Sequence, residues 1–168
     1  MTRKPLWLFM LSIILIVGAQ SSYACTCDGS SMMMKLQLIE GRFNTPSKGW
    51  LDGYSGAVFT GQVVNIKKVK FKLSTGDIWH NYQVTFKVDR YWKDIDSSDV
   101  IVYTGVGGGD CGIRFRKGES YIVFAEMIEG RLQTGICTLT SQYRYAANII
   151  RGLDLGAGRQ PVIKSTIP

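Results

Sequence analysis

The chain has one histidine, His80, among 168 residues, and that scarcity removes most of the acid–base and metal chemistry open to a small protein. The Cys25-Thr26-Cys27 spacing is one residue short of the usual C-x2-C of a zinc site, and no second close cysteine pair exists to complete one. Disulfide redox chemistry needs C-x-x-C, which is also missing. There is no G-x-S-x-G, and His80 sits in a turn region between Trp79 and Tyr82, so nothing here builds a serine hydrolase. The glycine-rich stretch 105–109 is not followed by Lys-Ser/Thr or by a helical pattern, which makes it a flexible corner beside Cys111 and not a phosphate cradle. Asp52, Asp94 and Asp96 fall in loops, where solvation accounts for them. The expectation is a protein that is not an enzyme and carries no cofactor.

Long hydrophobic runs are equally scarce. The one pronounced run, 6–17, follows Arg3 and Lys4 and precedes Ser22-Tyr23-Ala24, the layout of a secretory signal peptide cut after Ala24. As a helix it rises only about 18 Å against a bilayer core of roughly 30 Å, so it does not read as a permanent anchor. Residues 1–24 are therefore expected to be a signal peptide, 25–156 one folded domain and 157–168 a tail. A composition 45% hydrophobic and 20% charged, with mean hydropathy +0.03, suits a single globular domain. The formal charge of +7 stays positive after loss of the leader, whose only charges are Arg3 and Lys4. Localisation is expected to be extracellular or periplasmic. The alternative is a lipoprotein anchored at Cys25, although Ser22 stands where such signals usually carry Leu.

All four cysteines, Cys25, Cys27, Cys111 and Cys137, follow the leader, and an even number in an exported chain implies two disulfides. Three pairings exist. A Cys25–Cys27 bridge would close a strained small ring, which leaves the two pairings that send Cys25 and Cys27 to Cys111 and Cys137 in either order. Each would clamp the start of the mature chain, where a terminus ordinarily frays.

The body reads as mainly β, with helices at its two ends. A helix is expected over 32–43, with Ser30 and Ser31 as caps, and an exposed loop over 44–56. Strands are expected at 57–66 and 67–73, with a turn at 74–77. A further strand, a hairpin partner, carries Tyr82, Val84, Phe86 and Val88 in alternation with polar residues. Shorter strands follow at 100–104, 113–116, 121–127 and 131–135, with Glu129-Gly130 as a tight turn. Ser141 reads as the N-cap of a final helix in which Tyr145, Ile149, Ile150 and Leu153 recur at helical spacing until Gly156. Such a set closes into a five-stranded OB-type antiparallel barrel flanked by N- and C-terminal helices.

Lys68, Lys70 and Lys72 fall on one face of their strand, extended by Lys67, a candidate surface for a polyanion such as an anionic polysaccharide. A solvated edge strand protected from edge-to-edge pairing has the same appearance. Nucleic acid is not expected as a partner of an exported, disulfide-bonded chain, and a monomer is expected.

The chain resembles the netrin-like module of the tissue inhibitors of metalloproteinases. The resemblance lies in Cys25-Thr26-Cys27 after the signal peptide, Ala57-Val58-Phe59-Thr60-Gly61-Gln62-Val63-Val64, Tyr91-Trp92-Lys93, Thr104-Gly105, Cys111-Gly112, Phe115 with Lys117-Gly118, and the stretches 121–125 and 130–137. It implies an OB-type barrel with bridges Cys25–Cys111 and Cys27–Cys137. It also implies a partner, a zinc metalloproteinase, whose catalytic zinc the free amine and carbonyl oxygen of Cys25 would chelate while Thr26 enters the neighbouring pocket, with Cys27 completing the inhibitory segment. No metal would be held by the isolated protein. The chain departs from the family in having Asp28-Gly29-Ser30 in place of a proline-rich continuation, and in lacking a third bridge and a second domain. A netrin-like module that binds an extracellular, envelope or polyanionic partner without inhibiting a protease is the alternative.

Overall fold

The computed structural model describes residues 25, 27, 51, 53–72, 76, 78–107 and 109–156. The expected signal peptide, the helix at 32–43 and the tail at 157–168 lie outside them.

Alternation of apolar and polar side chains drives the two longest elements. Strands β1 (Gly56–Lys72) and β2 (Ile78–Lys93) pair antiparallel from Val58↔Lys93 to Lys72↔Ile78. The two strands expected at 57–66 and 67–73 are thus one continuous β1, because nothing breaks the ladder between Ile66↔Val84 and Lys67↔Gln83. Three register irregularities between Val58 and Asn65 bend it instead, as bulges do. Its first half, Gly56–Gln62, also pairs with Ser120–Glu126, while Lys67–Lys72 pair, among the described residues, with β2 alone. The end of the hairpin still packs against the sheet, with Phe71 edge-on to Tyr103 at 5.1 Å and the Arg131 guanidinium 4.1 Å from the Phe71 ring centre. Of the turn expected at 74–77, Gly76 is described, at φ 93°.

β3 (Asp99–Gly105), β4 (Ser120–Ile128) and β5 (Arg131–Gln133) complete a ring of five strands in the order β1–β2–β3–β5–β4, with β4 returning to β1. The expectation of a wholly antiparallel arrangement is corrected at one point, where β3 meets β5 in parallel through Tyr103↔Gln133. Glu129 (φ 49°) and Gly130 (φ 72°) form the tight β4–β5 turn, the left-handed pair that a two-residue hairpin requires. Residues 113–116 are not a strand. The Ile113 N–H goes to the Thr104 hydroxyl and the Phe115 N–H to the Ile113 carbonyl, so their backbone is satisfied without a ladder.

The short β6 (Ser141–Gln142) pairs with Tyr121 and Ile122 of β4, which removes Ser141 as a helix cap. A 3-10 turn at Tyr143–Tyr145 leads into the helix α1 (Ala147–Gly156). Ile149 and Leu153 are buried, but Tyr145 precedes the helix and is 72% exposed.

Two apolar clusters result. Phe59, Val63, Val84, Phe86, Val102, Phe115, Tyr121 and Val123 fill the ring, with Phe86 edge-on to both Phe59 and Phe115 at 5.5 and 5.2 Å. Val58, Trp92, Ile122, Phe124, Leu139, Ile149 and Leu153 form the second, where α1 covers the outside of β1 and β4. Successive residues on those two strands are therefore all buried, which explains why 57–59 and 121–125 are continuously apolar. The expected exposed loop before β1 turns inward at its end: Leu51 and Tyr54 belong to the second cluster.

Candidate functional site

The structure joins Cys25 to Cys111 and Cys27 to Cys137, with Cα separations of 5.3 and 5.1 Å. This is the pairing that the resemblance implies, chosen from the two that the spacing leaves open. The bridges lie side by side, with the sulfurs of Cys25 and Cys137 3.9 Å apart. Three sulfurs, those of Cys25, Cys111 and Cys137, lie within 4.8 Å of one another. Since no cysteine is free, none has a thiolate to give a metal, and the cluster is a stacked pair of bridges. Two such bonds fit an oxidising compartment. Among the described residues no helix is long and apolar enough to cross a membrane.

What gives these bridges firm ground is the hydrogen bonding of the loops that receive them. Asp110 ties down the loop before Cys111: its carboxylate accepts from the N–H groups of Val106 at 2.6 Å, Gly107 at 2.8 Å and Gly112 at 3.1 Å. The stretch expected to be a flexible corner is thus folded around one aspartate, and Cys111 itself takes a left-handed φ of 59°. Its carbonyl accepts the Ile136 N–H at 2.8 Å, which couples the loop of Cys111 to that of Cys137.

Threonines hold the second loop. The Thr134 hydroxyl donates to the Phe124 carbonyl at 2.8 Å, and the Thr140 hydroxyl accepts the Phe124 N–H at 2.9 Å. The two hydroxyls are 2.8 Å apart. Thr138 donates to the Gly135 carbonyl at 2.9 Å. The Cys137 loop is therefore fastened to Phe124 of β4 by buried hydroxyls, which satisfy backbone groups that water cannot reach, whereas the Asp110 contacts that order the Cys111 loop are exposed.

Beside Cys111 lies a cleft of about 350 Å³ walled by Ile78, Trp79 and His80 from the start of β2, by Gly105 and Asp110, and by Gln133 to Gly135. Ile78 is 62% and Trp79 54% exposed, and Ile136 next to Cys137 is 46% exposed. Sequence reasoning placed Trp79 and His80 in a turn and missed this wall. The available signal was the adjacent pair Ile78-Trp79: neighbouring strand residues face opposite ways, so both cannot enter one core.

Thr26 and the Asp28-Gly29-Ser30 continuation lie outside the described residues. Lys67, Lys68, Lys70 and Lys72 are all exposed on the second half of β1, where Lys70 and Lys72 pair with His80 and Ile78 of the cleft wall. No protein-family model matches the chain, and no curated protein matches it either.

Proposed function

We propose that this chain is an exported inhibitor of zinc metalloproteinases with a netrin-like, OB-type barrel, acting through the mature N-terminus at Cys25. The observation that carries the reading is the double clamp: two adjacent bridges fasten Cys25 and Cys27 to loops that are themselves fixed by Asp110 and the threonines. A catalytic zinc keeps one position open for water. The α-amine and carbonyl oxygen of one residue form a five-membered chelate that would displace that water and bring the zinc to five-coordination. An α-amine, with an ordinary pKa of about 7.7–8.0, gives up its proton to a metal far more readily than a lysine at about 10.4. Immobilising the chelator before binding removes the ordering cost that a loose terminus would bear. The exposed Ile78, Trp79 and Ile136 beside the bridges supply apolar surface of the kind that anchors protein interfaces. Thr26 would enter the pocket next to the zinc.

The test compares mature protein beginning at Cys25 with the same protein carrying one extra alanine ahead of it, each titrated against a panel of zinc proteases. The first is expected to inhibit and the second to lose at least tenfold in affinity. Equal inhibition by both, or none by either, would sink the chelation mechanism.

A further inference from the structure

A second cavity, of about 410 Å³, lies between the β1–β2 hairpin at Ile66, Tyr82 and Val84 and the segment Ile113–Phe115, with Val106 beside them. That volume falls within the roughly 300–1,000 Å³ of small-molecule sites. Its floor is apolar, made by Ile66, Val84, Ile113 and Phe115, and its walls include Tyr82 and the Arg114 side chain. Val84 and Phe115 belong to the ring core, with Ile66, Tyr82 and Ile113 packed against it, so the cavity is a dent in the main core.

Arg114 lines the cavity, and Lys68 stands beside its Tyr82 wall. Residues two apart on a strand share a face, so Lys68 and Lys70 continue the face that Ile66 turns to the cavity. The register sets Ile66 opposite Val84 and Lys68 opposite Tyr82, and the Lys68 ammonium stands 5.7 Å from the centre of the Tyr82 ring. Arg114, which lines the cavity, is exposed. The nearest carboxylate in sequence, Asp110, is engaged by three backbone N–H groups. An apolar floor lined by Arg114, with Lys68 next to it over Tyr82, is complementary to one kind of molecule.

We infer that this cavity binds a small amphipathic carboxylate, its short apolar body among Ile66, Val84, Ile113 and Phe115 and its anionic head at Arg114 and Lys68. The site shares the wall residue Val106 with the cleft beside Cys111 but does not depend on the inhibitory reading. A guanidinium can hold a carboxylate through two parallel hydrogen bonds, which makes Arg114 the principal contact and Lys68 the supporting charge.

Calorimetric titration of the mature protein with octanoate, octanol and octylammonium tests it, with methyl NMR shifts of Val84 and Ile113 locating the site. Octanoate is expected to bind saturably, to move those methyls, and to bind at least tenfold more tightly than the other two. Arg114→Gln with Lys68→Gln, both exposed and not expected to disturb folding, should cost octanoate about tenfold or more and leave octanol unchanged. Ile113→Trp, filling the floor, should abolish binding of both. The inference is overturned if octanoate does not saturate, if the three probes bind alike, if the double variant binds octanoate as the parent does, or if the shifts fall elsewhere.

Discussion

A methyl group on Gly135 would stand 2.7 Å from the carbonyl oxygen of Cys111, the same oxygen that accepts the Ile136 N–H. Gly135 is thus there for closeness: it lets the loops of the two bridges touch. Gly135→Ala should lower stability by about 1–3 kcal/mol through backbone displacement, read as a reduced urea midpoint with an unchanged slope. Tyr54 presents the opposite case. It packs edge-on against Phe124 at 6.3 Å, yet its hydroxyl is buried without a hydrogen-bond partner among the described residues. Burial first, and the Glu126 charge second, hold its pKa well above the ordinary tyrosine range. The charged form is thus disfavoured in the folded state, so unfolding releases a proton at high pH and stability falls as pH rises past the unfolded value of about 10. Tyr54→Phe should therefore match the parent or exceed it slightly at pH 7, and outlast it above about pH 10 in thermal melts. Neither role was legible beforehand, because each depends on a neighbour remote in the chain.

At the level of elements, alternation made the β1–β2 hairpin legible, and the Glu129-Gly130 pair marked the β4–β5 turn. The errors arose where local pattern competed with tertiary hydrogen bonding. Ser141 has the chemistry of a helix cap, but its backbone is recruited by Ile122 of β4. Residues 113–116 have strand-like composition, but their N–H groups find Thr104, Ile113 and the Tyr121 hydroxyl. The threonines of 134–140 gave no sequence signal, since a threonine in a loop looks the same whether or not it is buried. Here Thr140 is the donor-satisfying partner of Phe124, a residue at the heart of the second cluster. Thr140→Val keeps the shape and strands that N–H, and should cost about 1–3 kcal/mol. Thr140→Ser, which restores the hydroxyl, should recover most of the loss in the same denaturation series.

For the whole molecule, the ring and its two cores are assembled from residues 51–153, while the proposed inhibitory residues precede them and join through the bridges. The presence of that clamp was legible from four cysteines, two of them two residues apart. The cleft beside Trp79 and the cavity under Lys68 were not, because both require the register of strands far apart in sequence. The bridges also bear on stability in a coupled way. They span 86 and 110 residues, and on the chain-entropy model each, acting alone, would contribute roughly 4.5–5 kcal/mol. Once one is closed, however, the second closes a shorter circuit, through the step from Cys25 to Cys27, the existing bridge and the stretch from Cys111 to Cys137. Its own contribution then falls to roughly 3.5 kcal/mol. Removing either bridge from the intact protein, by Cys25→Ala with Cys111→Ala or by Cys27→Ala with Cys137→Ala, should therefore cost about that smaller amount. Removing both should cost about 1 kcal/mol more than the two single losses added together. Urea denaturation of the three variants beside the parent measures the difference directly. Strict additivity would mean that the two bridges constrain the unfolded chain independently, which their positions two residues apart argue against.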